Sequence, residues 1–270
     1  MVYLTKREKD LIEFFLTIGV LGLIFFSLYL YTGNWPPMTI VESSSMEHGT
    51  NFTWGVINAG DIVLIKKVYS VNDIITYVQG REINYSTYGD YGNVILYEPY
   101  NNTVPIIHRA MFYITWNGTR FYIKGENIAI KEGWMKIIGY DVILMDVGFK
   151  HKDFAVDLSP FVGEDGFITM GDNNLGIYVP GTEGILPNAT VYFASDQNNN
   201  LAPGPVKLYQ IVGVAVGWIP WLGVLKLLIY GDTYYIPIQS YFYFGVLMTI
   251  IIIVLLFYDD IIRMIKKLFK

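Results

Sequence analysis

Two long apolar runs bracket the chain. The first, Leu11 to Tyr31, carries Glu13 as its only charge and follows Lys6, Arg7 and Lys9. About 20 apolar residues suffice to cross the ~30 Å hydrocarbon core of a bilayer. A cleaved signal peptide would have a shorter apolar core and a small-residue site after it. Here Thr32-Gly33-Asn34-Trp35-Pro36-Pro37 follows, so the run is read as a retained anchor. The second run extends from Tyr241 to Tyr258, and the tail behind it carries Arg263, Lys266, Lys267 and Lys270. No Lys or Arg stands between Lys9 and Lys66, so charge asymmetry predicts both termini in the cytosol and the chain from Gly33 onward outside. A third stretch, Ile211 to Ile229, is nearly as apolar but broken by Gly213, Gly217, Pro220 and Gly223. A third span would carry the C-terminal lysines outward. The pattern therefore predicts a buried strand over Ile211–Trp218, then an interfacial turn with Trp218 and Trp221 at headgroup depth.

Between the runs the pattern is one of short β-type segments parted by Gly, Asn and Pro. Asp61–Val68, Val94–Tyr97, Pro105–Thr115, Arg120–Lys124 and Phe167–Met170 read as strands, and Asn117-Gly118 as a hairpin turn. No long 3.6-residue periodicity appears outside the runs, which predicts a mainly β protein: an antiparallel β-rich extracytoplasmic domain with two flanking transmembrane helices. The predicted division is 1–10 cytosolic, 11–32 first transmembrane helix, 33–238 the β-rich domain, 239–258 second transmembrane helix, and 259–270 a basic amphipathic tail on the inner leaflet. Insertions are expected near 69–91, 125–165 and 175–194.

Composition narrows the chemistry. Apolar residues make up 53% of the 270, and a net charge of -5 gives no broad basic surface for nucleic acid. There is no cysteine, which removes disulfides, thiolate metal sites and thiol nucleophiles together. The three histidines, His48, His108 and His151, match no metal-ligand spacing. Asn-x-Ser/Thr triplets at Asn51, Asn84, Asn101, Asn117 and Asn188 exceed chance and suit an extracytoplasmic face, although plain Asn-rich loops would read alike.

An alcohol nucleophile needs a base, an orienter for that base and donors for the oxyanion. Ser43-Ser44-Ser45-Met46-Glu47-His48 begins about ten residues past the first apolar run. His108 sits in an otherwise apolar strand, where a lone histidine is more often structural. His48 is close to Ser45 in sequence, and His151 belongs to the charge cluster Lys150-His151-Lys152-Asp153. Gly171-Asp172-Asn173-Asn174 and Ser195-Asp196-Gln197-Asn198 each read alone as turns.

Taken together, these pieces resemble type I signal peptidase in its archaeal and endoplasmic-reticulum branch. Ser43-Ser44-Ser45-Met46-Glu47 resembles the family's Ser-x-Ser-Met-x-Pro box, and Gly60-Asp61-Ile62-Val63 the strand after it. Ile107-His108-Arg109 is similar to the histidine box that replaces the bacterial lysine. Thr169-Met170-Gly171-Asp172-Asn173-Asn174 is similar to the Gly-Asp-Asn-Asn box, and Ser195-Asp196-Gln197 to the acid that closes it. Ile211-Val212-Gly213 and Ile219-Pro220-Trp221-Leu222-Gly223 resemble the last strand and turn. The likeness is collinear from residue 11 to about 225. It implies a membrane-bound serine endopeptidase that cleaves N-terminal signal peptides from pre-proteins emerging at the translocon, with no cofactor and no metal. Ser45 would be the nucleophile and His108 the general base. Asp196 would orient His108, with Asp172 assisting. The Ser45 N–H and the Ser43 hydroxyl would hold the oxyanion. The implied location is the cell membrane, and the composition points toward an archaeal, heat-loving source.

The sequence departs from the family in three places. His48 stands where proline is usual, the gap between Asp172 and Asp196 is long, and Lys66 and Lys67 follow the Gly60-Asp61 strand start. The long gap leaves open which acid serves His108, and the lysines raise a Ser–Lys pair as a lesser alternative. A non-catalytic, double-anchored surface glycoprotein or accessory subunit explains the spans and triplets as well. A peptidase restricted to pilin-like precursors is a further alternative.

Overall fold

The helix α1 runs over Lys6–Thr32 and the helix α5 over Ile238–Leu256; both are long and apolar enough to cross a membrane. The structure, a computed structural model, describes residues 5–100, 104–176 and 191–258. The basic tail 259–270, the triplets at Asn101 and Asn188, and most of the expected insertion 175–194 lie outside the described residues. The start of α1 is earlier than the hydropathy predicts. Thr5 and Glu8 form a reciprocal capping box that satisfies the first backbone donors, so helix extends through the charged residues. Gly33, left-handed at φ 68°, ends it.

Between them lie strands β1 (Met38–Ile40), β2 (Ile62–Lys66), helix α2 (Tyr77–Ile83), strands β3 (Ser86–Thr87), β4 (Asp90–Tyr91), β5 (Val94–Tyr97), β6 (Ile106–Asn117) and β7 (Arg120–Ile123). Helix α3 (Glu126–Lys131) follows, then β8 (Met135–Ile138), β9 (Asp141–Val147), β10 (Lys152–Asp157), β11 (Gly166–Met170), β12 (Val191–Phe193), β13 (Ile211–Ile219) and helix α4 (Val224–Tyr230). The main sheet is antiparallel throughout, ordered β1-β2-β13-β5-β6-β11 with β7 on the far half of β6, and it curls into a half-barrel. Asn117 pairs with Arg120, so the Asn-Gly turn forms as expected.

One expectation needs correction. The second sheet, β12-β10-β9-β8, contains one parallel pair, β10 with β12, so the domain is not wholly antiparallel. The segments 69–91 and 125–165, read as insertions, are packed into the fold. Tyr77 and Val78 from the first join the core with Phe112, Leu144, Phe154 and Ile168, and the second builds β8, β9 and β10. Over 211–229 the chain forms the expected strand, one residue longer, then a turn over 220–223, and continues into a short helix, α4. Val224 and Leu227 anchor that helix in a cluster with Ile236, while Leu225, Leu228 and Ile229 face outward.

The two long helices leave the domain at opposite ends of β2. At its C-terminal end the Lys67 N–H donates to Thr32 O at 2.7 Å, and the Asn34 amide donates to Ile65 O and Val212 O, both at 3.0 Å. Near its N-terminal end Asp61 accepts the Trp221 N–H at 3.0 Å, and Trp221 packs on Tyr243 of α5. Five residues of strand cover about 17 Å, so the two exits are held one short strand apart.

Candidate active site

The serine segment is pinned at both flanks. Val41 and Met46, each 1% exposed, pack into a cluster with Ile57, Val63 and Ile65, so residues 42–45 must arch outward between two buried anchors. Burying a side chain such as Met46 contributes about 1.5–3 kcal/mol. The Glu47 N–H closes the arch on Ser44 O at 3.1 Å. Asn173 clamps it from outside: its N–H donates to Ser45 O at 2.8 Å and its side-chain amide to Ser44 O at 3.0 Å. Ser45 is half-buried, its Oγ lies 3.2 Å from Ser43 Oγ, and its backbone N–H has no hydrogen-bond partner among the described residues.

His108 comes from β6, opposite Ile95 of β5. Its Nδ1 lies 2.9 and 2.8 Å from the two oxygens of Asp196. A carboxylate at that distance fixes Nδ1 as the protonated nitrogen and leaves the Nε2 lone pair free. Gly171 locates Nε2: a Cβ there would stand 2.7 Å from His108 Nε2 and 2.7 Å from Ser45 O. The imidazole tip therefore lies beside the Ser45 backbone, and any larger residue at 171 would wedge the two apart. The Ser45 hydroxyl rests on Ser43 and makes no hydrogen bond to the ring.

Asp196 is fully buried at the start of a tight turn, with its own N–H on Thr169 O at 2.9 Å. The Tyr97 O–H donates to Oδ2 at 2.7 Å, and the Thr169 hydroxyl donates to Tyr97 Oη at 3.2 Å. Burial alone would raise the Asp196 carboxyl; the His108 ring and the Tyr97 hydroxyl bonded to it outweigh that and hold the group below the ordinary range. It is an anion placed to orient and charge-stabilise an imidazolium.

Asp172 does not join this pair. Its two oxygens take a two-pronged bond from Arg109, Nε to Oδ1 at 2.8 Å and a terminal nitrogen to Oδ2 at 2.6 Å. His48 Nε2 lies 3.0 Å from Oδ2, its ring stacked on Phe149. The second guanidinium nitrogen donates to the carbonyls of Thr87, Asp90, Tyr91 and Gly92, so the 69–91 segment closes over a fully buried cation. Burial opposes charge on both partners, yet each holds the other ionised: Asp172 is depressed and Arg109 raised. The expectation that Asp172 assists His108 is corrected on this geometry. Its carboxylate is committed to Arg109 and His48, and its loop contributes Gly171 and Asn173 to the site.

The remaining candidates fall elsewhere. His151 is exposed and paired with Asp146 at 2.8 Å. Lys66 and Lys67 are exposed and line a different cavity from Ser45. Tyr97, Arg109 and Asn173 were missed as participants in the site. Only Arg109 left a sequence signal, a cation in the apolar run Ile106-Ile107-His108-Arg109-Ala110-Met111, which cannot be buried without a counter-charge.

Two acids beneath the arch are held in an unfavourable state. Burial lifts Glu47 to about 7, opposed by its bond from the Ala59 N–H and aided by nearby Asp61. Burial lifts Asp61 to about 6 against the bonds from Trp221 and Asn58. A carboxyl whose folded value is raised binds its proton more tightly folded than unfolded, so its share of stability is present at low pH and is lost as pH rises from about 4.5 through about 7. Glu47→Gln keeps the acceptor for Ala59 and removes the charge. It is expected to melt higher than the wild type at pH 8 and nearly equally at pH 4, below the unfolded value; a melting difference that is the same at both pH values would refute the assignment.

Ser43, Ser45 and His108 open on a groove of about 590 Å³. Ile40, Leu96, Ile107 and Leu201 give it apolar walls, and the Lys226–Glu42 ion pair, 2.9 Å, stands at its rim. No known protein family matches the chain, and no curated protein matches it. The arrangement itself is what can do chemistry: a backbone N–H with no partner among the described residues, a hydroxyl and an oriented imidazole along one groove, with a buried carboxylate behind the ring.

Proposed function

We propose that this chain is a membrane-anchored serine endopeptidase of the signal peptidase type, cutting N-terminal signal peptides from pre-proteins on the outer face of a cell membrane. The observation that carries the reading is the His108 ring, oriented by Asp196 through Nδ1 with Nε2 beside Ser45, in a groove that Ser43, Ser45 and His108 share. An extended peptide lying in that groove would bring its scissile carbonyl to Ser45. The Ser45 hydroxyl turns from Ser43 toward Nε2 and attacks the carbonyl carbon while His108 takes its proton. That rotation releases the Ser43 O–H, which together with the unpartnered Ser45 N–H holds the developing oxyanion. His108 returns the proton to the leaving amine, and the C–N bond breaks to leave an ester on Ser45. Water, deprotonated by His108, then attacks the ester, releasing the signal peptide's new carboxylate and the free serine. The anchors support the choice of substrate. With α1 and α5 spanning and both termini cytosolic, Ser45 lies within about 45 Å of extended chain from the end of α1, the level at which a substrate's own apolar helix emerges.

Full-length protein in lipid vesicles, incubated with an intact pre-protein, is expected to release a mature chain whose new N-terminus falls just past the signal peptide, read by mass spectrometry. A folded, inserted protein that leaves every pre-protein uncut would favour the non-catalytic, double-anchored alternative.

A further inference from the structure

A second cavity, of about 790 Å³, opens where α1 meets the domain. Its walls include Tyr31 from the last turn of α1, Lys66 and Lys67 at the end of β2, Tyr69, Tyr88 and Trp218. The Lys66 ammonium sits 5.3 Å from the Tyr31 ring centre and the Lys67 ammonium 5.6 Å from that of Tyr69. Among the described residues the lysines in ion pairs are Lys207 and Lys226, so these two ammonium groups share the cavity without a carboxylate bound to either. Asp73 also borders the space, but its Oδ2 accepts the N–H groups of Tyr69 and Ser70 at 2.8 and 2.9 Å. A cavity with two ammonium groups that no carboxylate neutralises suits an anion with several acceptor oxygens.

Position identifies the source of that anion. The Lys67 N–H holds Thr32 O at 2.7 Å, which fixes the cavity mouth at the level of the last turn of α1. If α1 spans a bilayer, as proposed above, that level is the headgroup layer. The tyrosine- and tryptophan-lined wall suits the same layer. The chain's net charge of -5 would otherwise repel an anionic surface. We propose that this cavity seats the phosphate of an anionic phospholipid from the outer leaflet, with Lys66 and Lys67 as its charged contacts. The lipid would hold the domain against the membrane beside the exit of α1.

The test uses the full-length protein in detergent and counts phosphatidylglycerol and phosphatidylcholine retained, by native mass spectrometry. The wild type is expected to prefer phosphatidylglycerol. Lys66→Gln/Lys67→Gln should lose that preference on the order of thirtyfold, the combined effect of two lysine–anion contacts, while Lys66→Arg/Lys67→Arg keeps it. Equal preference in the wild type and the Gln variant overturns the proposal. Displacement of the lipid by inorganic phosphate alone overturns the lipid source in favour of a free phosphate. Alkaline carbonate extraction separates this inference from the reading it rests on. A chain released from membranes overturns both. A chain that stays in membranes with the lysine effect absent overturns this inference alone, and pre-protein cleavage is unaffected by that outcome.

Discussion

Ser45→Ala is expected to lower kcat for pre-protein cleavage by roughly 10⁴- to 10⁶-fold while the protein remains folded and inserted. The size follows from the mechanism. Without the hydroxyl no acyl-enzyme can form, and only substrate binding and the oxyanion donors are left to assist direct attack by water. The stability cost is small because the Ser45 hydroxyl is half-buried and its one bond is to Ser43 Oγ, 3.2 Å away. A neutral hydrogen bond of that kind contributes about 0.5–1.5 kcal/mol net. Ser43→Ala makes the companion measurement. It removes one oxyanion donor and leaves the nucleophile, so kcat should fall about 10²- to 10³-fold. Equal losses in the two variants would mean that Ser43 and Ser45 act as one unit. A Ser45→Ala protein retaining a tenth or more of wild-type kcat would remove Ser45 from the role.

What the sequence disclosed, and what it hid, follow from the range of the forces concerned. The apolar runs, the strand Val94–Tyr97 and the Asn-Gly hairpin depend on nearest neighbours and on period, so they could be read directly. The small helices α2, α3 and α4, each seven residues or fewer, give too few turns for a 3.6-residue pattern to stand out. They hold through tertiary contacts such as Val224 and Leu227 in the α4 cluster. The second sheet was hidden for another reason. Its parallel pair joins β10 to β12 across a long stretch of chain, and no local pattern announces such a pairing.

The two acids are the instructive case. His108 and Arg109 are consecutive in β6, and consecutive strand residues point to opposite faces. One carboxylate could not serve both. The alternation already required a separate acid on each face, one for an imidazole and one for a guanidinium. It did not say which was which, because Asp172 follows β11 directly whereas Asp196 reaches the site only after the excursion through β12. That assignment needed the folded geometry, as did the clamp from Asn173 and the Tyr97 hydroxyl on Asp196.

The same division yields the second large effect, a separation of activity from stability. Asp196→Asn is expected to reduce kcat about 10⁴-fold. An amide in that place can donate to Nδ1, which moves the ring proton to Nε2 and leaves no lone pair facing Ser45. The fold should tolerate it, because a neutral imidazole facing a neutral amide strands no buried ion. Asp172→Asn has the opposite profile. Arg109 is fully buried and cannot deprotonate, so its cation would stay in the interior facing a neutral amide. Removing one partner of such a pair costs about 3–5 kcal/mol, visible as a large fall in melting temperature. Below that temperature kcat should drop far less than for Asp196→Asn, because Asp172 touches neither the ring nor the nucleophile. The two variants measured side by side, for kcat on a pre-protein and for thermal midpoint, decide the matter. If Asp172→Asn proves the more damaging to kcat and Asp196→Asn the more damaging to the midpoint, the division of labour between the faces of β6 is wrong, and Asp172 rather than Asp196 supports the chemistry.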